Sequence, residues 1–350
     1  MKILLVGSDY VWSIERVYRK YLLEAGADTV QLFAAQNLFY SYYNRSLLHK
    51  ALSRAGLSGI YKRINGLLLK EIDSMRPDVI WVFKGMEVMP SLLRICREKG
   101  IPLANFNGDN PFIFSGRGSG NRNVIEGLPL YDMHMTYNLK IREEIEEKYN
   151  IRTELLPFGF DVSDEVYAAC RREEEVKKIC FLGNPDSTRI SFIKELAGAG
   201  MSIDIYGAPE WAELASLPLI SVFPPVYEDG FWKNLRRYRV QLNLMRPHNE
   251  DSHNMRSFEI PGIGGIMLAP ATTEHKLFFK DGCEAFLFND NRECVEKAAY
   301  ILSLSREEAD KIRDQARKRS LIDGYTYRQR AASALCYLQE LYEKAGDHSL

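Results

Sequence analysis

The sequence predicts an α/β protein built from two doubly wound, parallel-sheet domains. Three observations carry that expectation. Near-continuous apolar runs, such as residues 2–6 and 77–84, lack polar alternation, as strands covered on both faces do. Each run leads into a turn and then into a segment of helical periodicity, so strands and helices alternate. The pattern restarts at Lys178, after the charged run RREEEVKK, within a chain of 350 residues. The expected organisation is a first domain over 1–160, a linker over 161–177, a second domain over 178–324 and a C-terminal helix over 325–350 that crosses back to the first domain.

Composition narrows the function classes. Lys and Arg number 46 against 47 Asp and Glu, giving a formal net charge of −1. No global field for nucleic acid exists. The six cysteines form no C-x-x-C pair, so neither a zinc site nor a disulfide framework is indicated, and a reducing cytoplasm is the expected setting. No uninterrupted apolar run approaches the roughly 20 residues needed to cross a membrane, and MKILLVG reads as a first strand, not a signal peptide.

In chain order, strand 2–6 ends in a turn at Gly7, Ser8 and Asp9, and 11–25 reads as a helix before strand 29–33. Asp9 stands where a G-x-G-x-x-G fingerprint needs glycine, so no dinucleotide site is expected there. Residues 29–70 contain no Asp or Glu. They interleave Arg45, Lys50, Arg54, Lys62, Arg63 and Lys70 with Phe39, Tyr40, Tyr42 and Tyr43. That mixture suits an anionic membrane surface over 39–70, or the solvated side of two amphipathic helices. Strand 77–84 brings Lys84, Gly85 and Glu87 to the C-terminal sheet edge, where open α/β sheets bind ligands. Strand 102–106 delivers Asn107, Gly108, Asp109, Asn110 and Pro111 to the same edge; this is either an Asx-type turn or an acceptor-side site. The stretch SGRGSGNR, residues 115–122, reads as a loop whose Arg117 and Arg122 reach phosphate.

In the second half, strand 178–182 runs through Gly183 into a helix bearing Arg189, an arrangement suited to phosphate. After strand 220–223, the loop carrying Phe223 and Val226 offers an apolar surface for a nucleobase, or simply packs into the core. Strand 240–245 leads into the most informative stretch, RPHNEDSHNMRSFEIPGIGGIMLAP, residues 246–270. A polar loop there runs into a helix start, where free backbone N–H groups favour phosphate. Asp251 reads equally as a helix cap. Glu259 sits between apolar residues, where an acid without a partner is costly. His248 and His253 lie five positions apart with no third ligand nearby, a poor zinc arrangement.

Arg256, Phe258, Glu259, Gly264 and Gly265 resemble the R-x-F-E-x-x-x-x-G-G signature of CgeB-like glycosyltransferases, which have the GT-B fold. Phe181, Gly183 and Arg189 match that group's F-x-G…R, and Asp109-Asn110-Pro111 its Asp-Asp/Asn-Pro. Many retaining relatives have two Glu separated by seven residues; here the first position is Asp251. The resemblance implies a GT-B pair of Rossmann-like domains facing a central cleft. It also implies a glycosyltransferase moving a sugar from a nucleotide-diphosphate donor to a saccharide, lipid-linked or protein acceptor in cell-surface polysaccharide or glycoconjugate synthesis, retaining and metal-independent. Cofactors are expected to be none, with the nucleotide sugar as substrate. Glu259 would grip the donor ribose, Asp251 and Asp109 would line the reacting end, and Gly183, Arg189, Phe223, Val226, His253, Asn254, Met255 and Arg256 would hold the donor. Ser8, Asp9, Lys84 and Asn110 would face the acceptor. The expected location is cytoplasmic, peripheral on the inner face of the membrane. A non-catalytic sugar- or nucleotide-binding protein and a nucleotide-sugar epimerase share the scaffold and stand as alternatives.

Overall fold

The computed structural model describes residues 1–114, 118–249 and 251–347. Arg117, within the glycine-rich stretch, and the side chain of His248 lie outside the described residues. Contacts divide the chain into two units, Met1–Pro157 with Tyr327–Leu350, and Phe158–Thr326. Each contains one six-stranded, all-parallel sheet with helices on both faces.

The first sheet comprises β1 (Lys2–Val6), β2 (Thr29–Phe33), β3 (Val79–Phe83), β4 (Leu103–Asn107), β5 (Met133–Thr136) and β6 (Arg152–Leu155), in the order β2-β1-β3-β4-β5-β6. Side-chain alternation explains its two buried faces. In β3, Ile80 and Val82 pack with Leu4, Val6, Ile64, Leu68 and Leu92. Trp81 and Phe83 point the other way, against Tyr18 of the helix Ile14–Glu24 and Phe106 of β4. The helix Tyr327–Asp347 covers that face too: the Tyr327 ring meets Tyr18 edge-on at 5.6 Å, and Arg328 pairs with Glu24 at 2.8 Å. Residues 29–70 hold three helices after β2, namely Ala35–Tyr43, Leu47–Arg54 and Ile60–Met75, where periodicity predicts two. The extra break falls at Asn44–Ser46, where the Ser46 hydroxyl accepts the His49 N–H and starts a new helix.

The second sheet comprises β7 (Val176–Leu182), β8 (Ile203–Tyr206), β9 (Ile220–Phe223), β10 (Tyr238–Leu242), β11 (Met267–Pro270) and β12 (Phe286–Phe288). Its order, read from β9, is β9-β8-β7-β10-β11-β12. This is the 3-2-1-4-5-6 order of a Rossmann sheet, and it reverses direction between β7 and β10. Ile179, Phe181, Ile205, Val240, Leu242, Leu268 and Phe286 build one face of the core with Trp211 and Ile193. On the other face Arg239 is fully buried, its charge met by both Glu175 oxygens at 2.8 and 2.5 Å and by the Leu304 carbonyl at 2.6 Å. The stretch expected as a linker carries the helix Asp164–Cys170 and the first residues of β7. Gly265, after the helix Arg256–Gly262, has no room for a side chain: a Cβ there would stand 2.6 Å from the Leu235 carbonyl oxygen.

Candidate functional site

The topological reversal in the second sheet places the exits of β7 and β10 side by side, and the local sequence turns that edge into a basic pocket. Asp186 accepts the Arg189 N–H at 3.0 Å and caps the helix Ser187–Gly198, which fixes Arg189 one turn into it. The Arg189 guanidinium then donates to the Asn184 carbonyl at 3.0 Å and the Leu244 carbonyl at 2.7 Å, joining the two strand exits. Its Nε makes no hydrogen bond. Burial pulls the Arg189 pKa down to about 10, Asp186 opposes that, and the nearby charges of Arg246 and Arg256 add to the fall. Three arginines thus gather at one sheet edge.

Beside them lies a cavity of about 530 Å³, lined by Arg189, Met245, Arg246, Asp251, Thr272 and Asn289 among others. It opens on the C-terminal ends of β10, β11 and β12, and its size falls within the range of small-molecule sites. Arg246 is exposed at its rim. Sequence reasoning assigned Arg246 no role, although its place just beyond an apolar strand was the available signal.

The residues expected to hold the donor, and Asp251 at the reacting end, divide into two groups. Arg189 and Asp251 line the cavity. Arg256 lies 4.4 Å over the Phe231 ring and pairs with Glu259 Oε2. Glu259 is 7% exposed and does not line the cavity, but its Oε1 takes no hydrogen bond among the described residues. Gly183 closes β7, and its carbonyl accepts the Trp211 indole N–H at 2.8 Å. Phe223 stacks on Tyr206 at 4.8 Å and keeps a partly exposed face; Val226 is half-buried in the loop beyond it.

Residues 251–254 need correction. His253, expected to donate to phosphate, is fully buried. Its Nε2 accepts the Phe158 N–H at 3.3 Å, so the proton sits on Nδ1 and is donated to Glu274 at 2.5 Å. Neither ring nitrogen is available to a ligand. Asp251, expected near the transferred sugar, uses both carboxylate oxygens on Thr273, accepting its N–H at 2.6 Å and its hydroxyl at 2.9 Å. Its backbone is left-handed, with φ 55°. Ser252 donates to Glu274 at 2.9 Å, and its carbonyl accepts the Thr272 hydroxyl at 2.8 Å. These bonds brace the loop against the start of the helix Thr273–Phe278. Asn254 bonds inward as well, donating to Asn243 at 2.8 Å and accepting the Ser257 N–H at 3.2 Å, so the amide expected to face phosphate instead starts the helix after Met255. Below it His275 donates from Nδ1 to the Pro270 carbonyl and accepts the Ser257 hydroxyl at Nε2, both at 2.8 Å; burial pulls its pKa down to about 4, so it stays neutral.

In the first unit, Lys84 binds Asp109 at 2.6 Å and the Gly118 carbonyl. Asp109 is therefore half of an ion pair. Asn110 accepts the Phe112 N–H at 2.8 Å, which makes the Asn-Pro segment an Asx turn. Asp9 is exposed and lies 3.5 Å from Arg16, while Ser8 is buried and shares a hydrogen bond with Ser13 at 2.6 Å. Among the described residues no group of three His, Cys, Asp or Glu is placed to hold a metal ion, and no helix is long and apolar enough to cross a membrane.

Two Rossmann-like units with parallel sheets define the GT-B fold. Known structures agree. An alpha,alpha-trehalose 6-phosphate synthase from Burkholderia multivorans superposes with a TM-score of 0.67 at 13% identity, over 100% of this chain and 98% of that one. A sucrose-phosphate synthase from Thermosynechococcus elongatus gives 0.70 at 9% identity, over 98% and 100%. A UDP-GlcNAc 2-epimerase from Neisseria meningitidis, bound to UDP-GlcNAc, gives 0.54 at 13% identity, over 92% and 98%. At such identities the likeness establishes the fold. Residues 189–335 match the family model described as glycosyl transferase-like. The chain thus carries a glycosyltransferase-like domain on a GT-B scaffold, which supports a glycosyltransferase. No curated protein sequence matches.

Proposed function

We propose that this protein transfers a sugar from a nucleoside-diphosphate donor held by the second unit, in the manner of CgeB-like transferases. The single observation that carries this reading is the cluster of Arg189, Arg246 and Arg256 at the β7/β10 switch point, beside a cavity within the family-matched segment. Transfer leaves negative charge on the departing diphosphate. Guanidinium groups already fixed at that position stabilise it without reorganising, and no metal is required for that role. Met255 and Arg256 approach the phosphates from the helix start. Glu259 Oε1 receives a ribose hydroxyl while Oε2 keeps Arg256, and the Phe223 face with Val226 takes the base. Asp251 holds the cavity wall in place through Thr273. Asp109, Lys84 and Asn110, with Ser8 and Asp9, border the acceptor in the first unit. The acceptor is a saccharide, lipid-linked or protein group in cell-surface glycoconjugate synthesis, and configuration is retained.

A thermal-shift screen of nucleotides and nucleotide sugars tests the donor assignment, since a ligand that binds only the folded state raises the melting point. UDP, GDP or TDP compounds should do so with and without EDTA, and Glu259→Ala should remove most of the shift. An unchanged shift in that variant would remove the ribose role. Sugar transfer or donor hydrolysis separates an enzyme from a binder, and an inverted sugar centre without acceptor identifies an epimerase.

Membrane contact has its own support. Leu47, Leu48 and Leu57 are 84%, 65% and 74% exposed among Arg45, Lys50, Arg54, Lys62 and Arg63. Flotation with anionic liposomes should carry the protein upward in low salt and release it in high salt; no flotation sinks this part.

A further inference from the structure

The first sheet has its own switch point, between β1 and β3. Two successive residues after β3 are left-handed, Lys84 at φ 61° and Gly85 at φ 94°, so the chain turns sharply there. Amide side chains then pin the backbone. Asn65 donates to the Glu87 carbonyl at 2.8 Å, and Asn121 and Asn123 donate to the Met86 carbonyl at 2.9 and 2.8 Å. The Glu87 carboxyl is treated differently. It is 7% exposed, yet no other side chain among the described residues donates to it. Burial pushes its pKa up to about 7, tempered by its own backbone amide and by Lys84 and reinforced by Glu15. A fixed backbone around an acid with no partner side chain is the pattern of a binding site.

Glu87 lines a cavity of about 370 Å³ together with Phe39, Tyr40, Tyr43, Tyr61 and Arg54. Phe39 lies parallel to Tyr61 at 5.5 Å and nearly so to Tyr43 at 5.7 Å, which stacks these three rings, while Tyr40 stands edge-on to Phe39 and Tyr43. The charged and titratable groups facing Glu87 are Lys84, Glu15 and the Tyr40 and Tyr61 hydroxyls. Lys84 is already paired with Asp109. Two cations are engaged at Tyr43: Arg54, which also lines the cavity, donates to its hydroxyl at 3.3 Å, and Lys50 lies over its ring. Aromatic faces with a carboxylate behind them attract a cation and repel phosphate.

We propose that this pocket binds the primary ammonium group of an amino sugar belonging to the acceptor, with the Glu87 carboxylate taking its N–H donors and the Tyr40 and Tyr61 rings flanking it. This names the acceptor class of the transferase and rests on that reading. The test uses the full-length protein without donor and compares glucosamine, N-acetylglucosamine and glucose by saturation-transfer NMR and calorimetry. Glucosamine should bind about tenfold tighter than the other two, with a maximum near about pH 7, where the acid is ionising and the amine still holds its proton. Glu87→Gln should erase the preference while melting cooperatively, and Tyr61→Leu should weaken glucosamine alone. Equal binding of all three sugars, no binding, or a preference that survives Glu87→Gln overturns the proposal. UDP binding measured on the same samples separates the two readings. UDP bound without a glucosamine preference removes only the acceptor class, whereas no nucleotide binding removes the transferase reading.

Discussion

Replacing His253 with alanine separates a structural histidine from a phosphate ligand. The ring lies edge-on to Phe158, Phe258 and Phe278, with centroids 5.7, 5.1 and 5.2 Å away. Its two nitrogens satisfy the Phe158 N–H and the carboxylate of Glu274, which is 2% exposed. Truncation leaves that buried carboxylate with the Ser252 hydroxyl but without the imidazole. The neutral imidazole gives Glu274 a hydrogen bond and no countercharge, and losing such a bond from a buried carboxylate costs about 2–3 kcal/mol. The void among three rings adds about 1–2 kcal/mol. The total, about 3–5 kcal/mol, is a large share of the stability of an ordinary domain. Urea unfolding followed by hydrogen exchange should show residues 158–326 losing protection at much lower denaturant, while 1–157 change little. Nucleotide affinity per folded molecule should persist. A variant as stable as the parent that no longer binds nucleotide would refute the reasoning and return His253 to the ligand.

The remaining predictions concern the buried acid and the tight packing. Glu87 holds its proton more tightly folded than unfolded, so its contribution to stability is fully present below about pH 4.5 and is lost as pH rises through about 7; the rise from 4.5 to about 7 is worth about 3 kcal/mol. Glu87→Gln should therefore match the parent in urea melts at about pH 4.5 and exceed it at about pH 8.5, and a variant that is weaker at the higher pH contradicts the assigned burial cost. Gly265→Val would force its side chain onto the Leu235 carbonyl, and a loss of about 2–3 kcal/mol is expected in thermal melts; no loss would mean that the backbone there yields.

Most of the fold was legible because parallel strands covered on both faces are written as apolar runs. β1, β2 and β9 have the bounds that the runs imply, and the others differ by a few residues at their ends. The ends are less legible because an end is set by partners. β7 begins at Val176, inside the charged run, because Val176 pairs with Tyr238 across the sheet. Residues 251–254 show the same limit for the site. Thr273 and Glu274 lie about twenty residues downstream of Asp251 and His253, and Phe158 lies 95 residues from His253. Polar residues in a loop before a helix look free when those partners are out of sight. Arg189 was visible as an early helical arginine after a glycine turn. Its convergence with Arg246 and Arg256 depends on the β7/β10 adjacency, which one strand order among many provides. Glu87 stood at a recognisable sheet edge, but the aromatic wall beside it comes from helices some 25 to 50 residues earlier in the chain.

The basic edge of the second unit is tested most directly by calorimetric titration of UDP, UMP and uridine into the parent and into Arg246→Ala. Arg246 is exposed, so its loss should leave the melting temperature unchanged. The diphosphate should bind tightest, and Arg246→Ala should weaken it about tenfold or more, the worth of one charge-assisted contact, while leaving uridine unaffected. Equal affinity for UDP and uridine, or a UDP affinity indifferent to Arg246→Ala, with GDP and TDP behaving alike, would contradict a diphosphate held by the arginine cluster.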